Sequence, residues 1–293
     1  MKVAIGQREL EMGGPYMTEL RDSACLLGDV EALRARMAED GYLLLRGFHD
    51  RSTVLRARSQ VLARMQAAGR LAPGADPEEA AVGPERRGYS FMGHNRELPA
   101  LLDVVNSGRT MRFFSGFLGG DALTFDYKWG RAVAPGEFTG AHYDIVYMGR
   151  GTRNLYTMWT PLCDIPYALG GLALCLGSQR FEKIRRTYGQ MDVDRDHVVG
   201  WFSSDPVEIV DKFGGRWASA EFAAGDALIF GMFIMHGSLT NTTDRYRLSV
   251  DTRYQLASEP ADERWMGRDP VGHYAWQKGQ TVTMADARNR WGV

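Results

Sequence analysis

The chain has 293 residues, with 35 Lys and Arg against 36 Asp and Glu and a net charge of −1. That balance gives no long-range attraction to nucleic acid or to an anionic membrane surface, so neither is expected as a partner. Apolar residues make up 44%, enough for one sizeable core, and no apolar stretch of about twenty residues or basic-then-apolar start appears, so neither a helical membrane span nor a secretory signal is expected and a cytoplasmic location is.

Cys25, Cys163 and Cys175 are unclustered. They argue against a structural zinc site, fit a reducing compartment and leave Cys163 and Cys175 as small core residues.

The first fifteen residues, with Gly13-Gly14-Pro15, read as a loose lead-in. Asp29 is placed to cap a helix carrying Val30, Leu33 and Met37 on one face and ended by Gly41. Ser52 opens a second helix with Val54, Leu55, Val61, Leu62 and Met65 on its apolar face. Its Arg51, Arg56, Arg58 and Arg64 form a solvated outer face, not a nucleic-acid site. Residues 71–88 are rich in Gly and Pro and form a loop. It leads to Gly88–Arg96, which either covers a pocket through residues such as His94 or is an ordinary surface connection. Helices cover 98–118, and strands follow from about Leu123.

In Phe125-Asp-Tyr-Lys-Trp129, Tyr127 or Lys128 could line a pocket, since strand parity is not fixed by sequence. His142-Tyr143-Asp144 reads as part of an extended strand, in which positions i and i+2 point to one side, so both ligand-type side chains can reach one ion while Tyr143 points away. Pairs of Gly at 149–151, 170–171 and 214–215 mark turns. Residues 182–216 are too long for a hairpin and read as an insertion at a rim, with Tyr188, Asp194, Asp196 and His197 as candidate substrate contacts. The aspartate-rich surroundings of His197 fit an exposed loop better than a metal ligand.

Asp226–Met235 is an apolar run expected as one buried strand that delivers His236 near its end. Arg245–Tyr254 alternates with period two, as a half-buried strand does, placing Arg245, Arg247, Ser249, Asp251 and Arg253 on one face. Two imidazoles and a carboxylate give a mononuclear metal three donors on one side and leave the other open. A guanidinium nearby, Arg247, is suited to pair with a carboxylate bound beside that metal. The tail holds Trp265, Trp276 and Trp291 among charged residues including Arg288 and Arg290; it either docks over the body of the protein or contacts another subunit.

At several places the sequence resembles the phytanoyl-CoA dioxygenase family of iron(II)/2-oxoglutarate oxygenases: GDALIFGMFIMHGSLTNTTDRYRLSVDTRYQ from Gly225 to Gln255, Trp159-Thr-Pro-Leu-Cys-Asp-Ile-Pro166, Gly170–Ser178, and Asp40–Phe48. The likeness runs from about residue 28 to residue 256. It implies a mainly β fold with flanking helices, a double-stranded β-helix or jelly-roll barrel, formed as a single oxygenase domain over 1–293. Within it, helical support spans about 16–120, the jelly-roll core about 121–257 with the rim insertion at about 182–216, and a tail 258–293. Carried over residue by residue, His142, Asp144 and His236 correspond to the iron ligands and Arg247 to the residue that pairs with the distal carboxylate of 2-oxoglutarate, with Ser238 and Trp159 as its neighbours. The family's Pro-Gly-Ser-His element reads Leu176-Gly-Ser-Gln179 here, which puts loop packing or substrate contacts in doubt. Halogenating relatives lack the carboxylate, so Asp144 favours oxygen insertion.

The implied activity is oxidation of a C–H bond of a small organic substrate, most simply hydroxylation, using Fe(II), 2-oxoglutarate and O2 and releasing succinate and CO2. The alternatives are another cupin-type metalloenzyme, an isomerase or hydrolase, or a metal-binding jelly roll without catalysis. The first of these gives Arg247 no purpose. The substrate and the oligomeric state are not legible in the sequence.

Overall fold

The computed structural model describes every residue except 86, 92–95 and 274–278; His94 and Trp276 therefore lie outside the described residues. The amino terminus is a hairpin, not a loose lead-in. Lys2–Ile5 pairs antiparallel with Arg8–Glu11, with Gly6 at φ 59° in the turn, and Val3, Ile5 and Leu10 are buried. Their alternation is a period-two strand signal.

Val30–Asp40 forms the first long helix, with the Asp29 carboxylate accepting from Ala32 N and Gly41 in the left-handed region at its end. The second, Arg51–Ala67, begins one residue earlier than expected because Asp50 caps it, accepting from Thr53 N at 2.8 Å and from the Ser52 hydroxyl at 2.6 Å. Three of its arginines pair with acids, Arg51 with Asp164, Arg58 with Glu78 and Arg64 with Glu97. Pro99–Val105 and Gly108–Leu118 complete the helical layer.

Two sheets carry the rest. The larger runs in the order Tyr42–Leu45, Ala227–Gly231, Tyr156–Pro161, Arg247–Leu256, Trp129–Val133 and Tyr89–Ser90, with Ala122–Thr124 also paired to Arg247–Leu256. The smaller runs His236–Ser238, Leu172–Leu176, Arg216–Ser219 and Met17–Glu19. Their apolar faces meet in one cluster containing Leu44, Trp159, Leu228 and Phe230 from the first and Leu172, Leu174 and Ala218 from the second. This is the jelly-roll arrangement, with all helices of the support on the outer face of the larger sheet. Each Leu or Phe buried there contributes roughly 1.5–3 kcal/mol.

Two strands differ from expectation in ways that matter for the site. Arg247–Leu256 is buried on both faces, not half-buried. Leu248 and Val250 pack under the Arg51–Ala67 and Pro99–Val105 helices and Tyr254 under the Gly108–Leu118 helix, so the polar set on the other face looks into the barrel and not into solvent. The apolar run 226–235 is not one strand: Ala227–Gly231 ends in the larger sheet, Met232–Met235 crosses over, and His236–Ser238 begins in the smaller.

The 182–216 segment folds into the helices Glu182–Arg186 and Pro206–Phe213 with short pieces between. Its expected substrate contacts have structural partners instead. Tyr188 is buried against Tyr143, ring centroids 5.7 Å apart. Asp194 pairs with the fully buried Arg264 of the tail, which also grips Asp262 at 2.6 Å, and Asp196 pairs with Arg195 at 2.6 Å. His197 lies in the turn before Val198–Val199, its carbonyl accepting from Val282 N. The tail docks back within the chain: Trp265 is buried with its ring 4.7 Å from that of Trp129, Val282–Thr283 pairs with Val198–Val199, and Arg288 pairs with Glu208 at 2.6 Å. Cys175 is buried, which pushes its thiol up to about 12; Cys163 is half-buried. Among the described residues no helix is long and apolar enough to cross a membrane.

His49, just before the second helix, is buried with Nε2 3.2 Å from Thr160 Oγ1. Burial, and then the nearby Arg109 charge, push it down to about 3 from an ordinary 6.5. It is neutral in the fold but takes a proton in the unfolded chain below about pH 6.5. Its stabilising effect is therefore complete above that value and lost as pH falls toward 3, by about 2 kcal/mol at about pH 5. Thermal unfolding of the metal-free protein between about pH 7 and pH 5 checks this. The midpoint of the wild type should fall more steeply than that of His49→Gln, and parallel slopes would contradict it.

Candidate metal centre

The main chains of His142 and His236 hold each other. His142 N donates to His236 O and His236 N to His142 O, both at 3.0 Å, which joins the 141–142 segment to the edge of the smaller sheet. In each ring Nδ1 faces the carbonyl two residues earlier, Gly140 O at 2.9 Å and Ile234 O at 3.0 Å. That fixes the tautomer with the proton on Nδ1 and presents Nε2 as the free lone pair. Burial pushes His142 down to about 3 and lowers His236 as well, so both rings are neutral donors.

Asp144 does not sit on an extended strand with His142. The chain leaves the bridge at His142, and Asp144, at φ −66° and ψ −28°, starts the short helix Ile145–Met148. Its carboxylate meets the imidazoles because the backbone turns there, not through strand parity. Oδ1 lies 3.6 Å from His236 Nε2 and 3.9 Å from His142 Nε2. One donor atom from each of the three residues falls within 4.8 Å of the others, all three residues being buried. Tyr143 points the other way, as expected, and donates from its buried hydroxyl to Ser178 O at 2.7 Å.

The second carboxylate oxygen of Asp144 is already engaged: Oδ2 accepts from Thr157 Oγ1 at 2.5 Å and from Arg253 NH2 at 3.0 Å. Burial alone would raise this carboxyl's pKa, but the Arg253 charge, helped by the Thr157 hydrogen bond, outweighs it and holds the group ionised well below the usual range. One oxygen is thus committed to the protein and one is left for a cation. Thr157 and Arg253 were not singled out from the sequence. Arg253 shares the parity of Arg247, but the pairing that sets it beside Thr157 is a property of sheet register. Arg253 is itself buried, Nε against Met148 Sδ at 3.1 Å and Cζ 4.3 Å from the Trp129 ring.

Arg247 is buried on the same face. Its guanidinium lies over Trp159, Cζ 5.9 Å from the ring centroid, and donates a short hydrogen bond to Ser249 Oγ. Its Nε is buried with no hydrogen-bond partner among the described residues. Burial pulls it down to about 10, partly opposed by Asp251. A buried, incompletely satisfied cation of this kind suits an incoming carboxylate. The Ser238 hydroxyl accepts from Thr139 N at 2.9 Å. Lys128 donates to Thr124 Oγ1 and Phe125 O, and Tyr127 packs on Trp129 and Trp265. Gln179 donates to Glu39 O at 3.3 Å.

Two neutral imidazoles and one ionised carboxylate on one side of a buried point fit a divalent first-row metal with open positions, iron(II) among them. Arg247 offers a planar guanidinium fork to an anion on the same inner face.

Comparison with known proteins points the same way. A curated relative, the 1-deoxypentalenic acid 11-beta-hydroxylase of Streptomyces exfoliatus, is 26% identical over 254 residues, covering 83% of this chain and 87% of the relative. Among solved structures, the epimerase SnoN in complex with Fe3+, alpha ketoglutarate and nogalamycin RO superposes with a TM-score of 0.58 at 18% identity, over 88% of this chain and 98% of that one. EctD from S. alaskensis with 2-oxoglutarate and 5-hydroxyectoine gives 0.55 at 18%, over 86% and 84%. At such identities these two structures establish the shared fold. The sequence itself matches phytanoyl-CoA dioxygenase (PhyH) over residues 37–249, a span that carries all three metal-donor residues and Arg247, and the chain belongs to that family.

Proposed function

We propose that the protein is a non-haem iron(II)- and 2-oxoglutarate-dependent dioxygenase that hydroxylates a C–H bond of a small organic substrate, with His142, Asp144 and His236 as the metal ligands and Arg247 as the cosubstrate anchor. The observation that carries the reading is the buried cluster of three donor atoms within 4.8 Å, with an unsatisfied guanidinium on the inner face of the same barrel. When bound, iron and 2-oxoglutarate supply the oxidation, with succinate and CO2 as co-products. The protein supplies orientation and electrostatics.

The neutral imidazoles offer Nε2 without a proton to displace near neutral pH. Thr157 and Arg253 keep Asp144 to a single free oxygen, which leaves more of the coordination sphere open. Arg247, resting on Trp159, takes the distal carboxylate, and the Phe230 ring packs against His236 with its centroid 4.6 Å away. No protein base is needed. Hydroxylation is preferred over epimerisation because the hydroxylase relative is the more similar in sequence. The three unpaired thiols support a cytoplasmic location.

Adding iron(II) and 2-oxoglutarate to the metal-free protein without oxygen should give the visible charge-transfer band of the chelate, and a chelator should erase it. A hydrolase, isomerase or binding protein on this fold that does not use 2-oxoglutarate gives no such band, and its absence would refute the reading.

A further inference from the structure

Beside the metal donors the two sheets leave a seam. The larger sheet ends there at Tyr89–Ser90 and Trp129–Val133, the smaller at His236–Ser238, whose outer neighbour is Thr139, joined to Ser238 by two hydrogen bonds. Between these edges lies a cavity of about 420 Å³ lined by Ser90, Arg131, Glu137, Phe138, Thr139 and Trp201, among others. One wall is aromatic: Phe138 and Trp201 have ring centroids 5.6 Å apart, and Trp201 is 40% exposed. Trp201 packs on Gly140, where a Cβ would come within 2.5 Å of its ring, and the Gly140 carbonyl is the one that orients His142. The wall therefore adjoins the segment that carries His142.

The opposite wall carries Arg131. It pairs in register with Ser249, so it shares the inner face with Arg247 and Arg253. Its Nε lies 3.3 Å from Asp251 Oδ2, and its side chain is 35% exposed. Among the described residues its two terminal nitrogens make no hydrogen bond. Glu137 on the rim has both oxygens occupied by main-chain N–H groups, Gly88 N at 2.8 Å and Ala134 N at 3.0 Å. On the inner face three guanidinium groups, Arg131, Arg247 and Arg253, stand against two carboxylates, Asp144 and Asp251. Iron(II) and doubly charged 2-oxoglutarate cancel each other, so one positive charge stays in surplus. Arg253 is committed to Asp144 and Arg247 to the cosubstrate. Arg131 meets Asp251 through Nε alone, which leaves its two terminal nitrogens for a further anion.

We propose that Arg131 is a specificity-determining residue that reads a carboxylate on an otherwise apolar substrate, whose body rests against Phe138 and Trp201. The inference builds on the oxygenase reading above. The two arms of an arginine fork match a carboxylate, whereas an uncharged amide of the same shape gains no charge-assisted bonds.

The test titrates the protein, loaded with iron(II) and 2-oxoglutarate without oxygen, with adamantane-1-carboxylate and adamantane-1-carboxamide. These probes are alike in shape and differ in charge. Binding is followed by the shift of the visible band and by calorimetry. The acid should bind at least about tenfold more tightly than the amide. Arg131→Gln should bring the two to parity and leave 2-oxoglutarate affinity unchanged, while Arg131→Lys, which keeps the charge beside Asp251, should retain part of the preference. The proposal is overturned if the wild type binds both probes equally or neither, if Arg131→Gln keeps the preference, or if that variant loses 2-oxoglutarate affinity, which would move Arg131 to the cosubstrate site. A wild-type protein with no visible band defeats the oxygenase reading instead, and calorimetry of the two probes then decides Arg131 separately.

Discussion

Asp144→Ala is expected to remove iron binding and turnover together and to destabilise the fold. Loss of an outer partner of a metal ligand costs about 10–100-fold in affinity or activity; here a donor atom and its charge both go, so the loss should exceed that range. The structural effect arises behind the metal. Asp144 is the ion-pair partner of Arg253, whose side chain is 2% exposed, and deleting it leaves a buried guanidinium uncompensated, which costs on the order of 3–5 kcal/mol. The double variant Asp144→Ala/Arg253→Met separates the two effects. It should regain much of the lost stability in chemical denaturation, because no charge is stranded, and still fail to bind iron by calorimetry. A double variant no more stable than Asp144→Ala would show that the pair does not hold this corner of the barrel.

Arg247→Ala should give the reverse pattern for the ligands, with iron binding retained and 2-oxoglutarate binding weakened by about 100-fold. That factor corresponds to the 2–5 kcal/mol typical of truncating one partner of a buried, hydrogen-bonded charge pair. Arg247→Lys keeps a cation but loses the fork that lies over Trp159 and should fall between the two. Measured in anaerobic titrations, an unchanged 2-oxoglutarate affinity in Arg247→Ala would remove this residue from the cosubstrate pocket. A parallel loss of iron affinity would mean that its role is to hold the barrel interior together.

The residue types of the centre were legible because they are rare together: a His-x-Asp, a histidine after an apolar run, and an arginine on a strand of period two. Their mode of convergence was not. Asp144 reaches the imidazoles through a helical turn, and an i, i+2 spacing looks the same whether the backbone stays extended or bends. The run before His236 hides a change of sheet at Gly231, since both pieces are equally apolar. Arg253 and Thr157 matter because register sets them opposite each other, and pairing between distant strands leaves no local mark. The same holds for the 182–216 segment. Asp194 looked free for substrate, yet its partner Arg264 comes from the tail seventy residues downstream.

The reciprocal peptide hydrogen bonds between His142 and His236 mean that the spacing of the two imidazoles is set by a sheet edge and not by the ion they would share. A protein built this way should survive repeated stripping and reloading without refolding. Its donors would hold cobalt or nickel more tightly than iron, since affinity for such donors follows the metal's place in the Irving–Williams order. The choice of iron would then belong to whatever the cell offers when the folded chain first meets a metal.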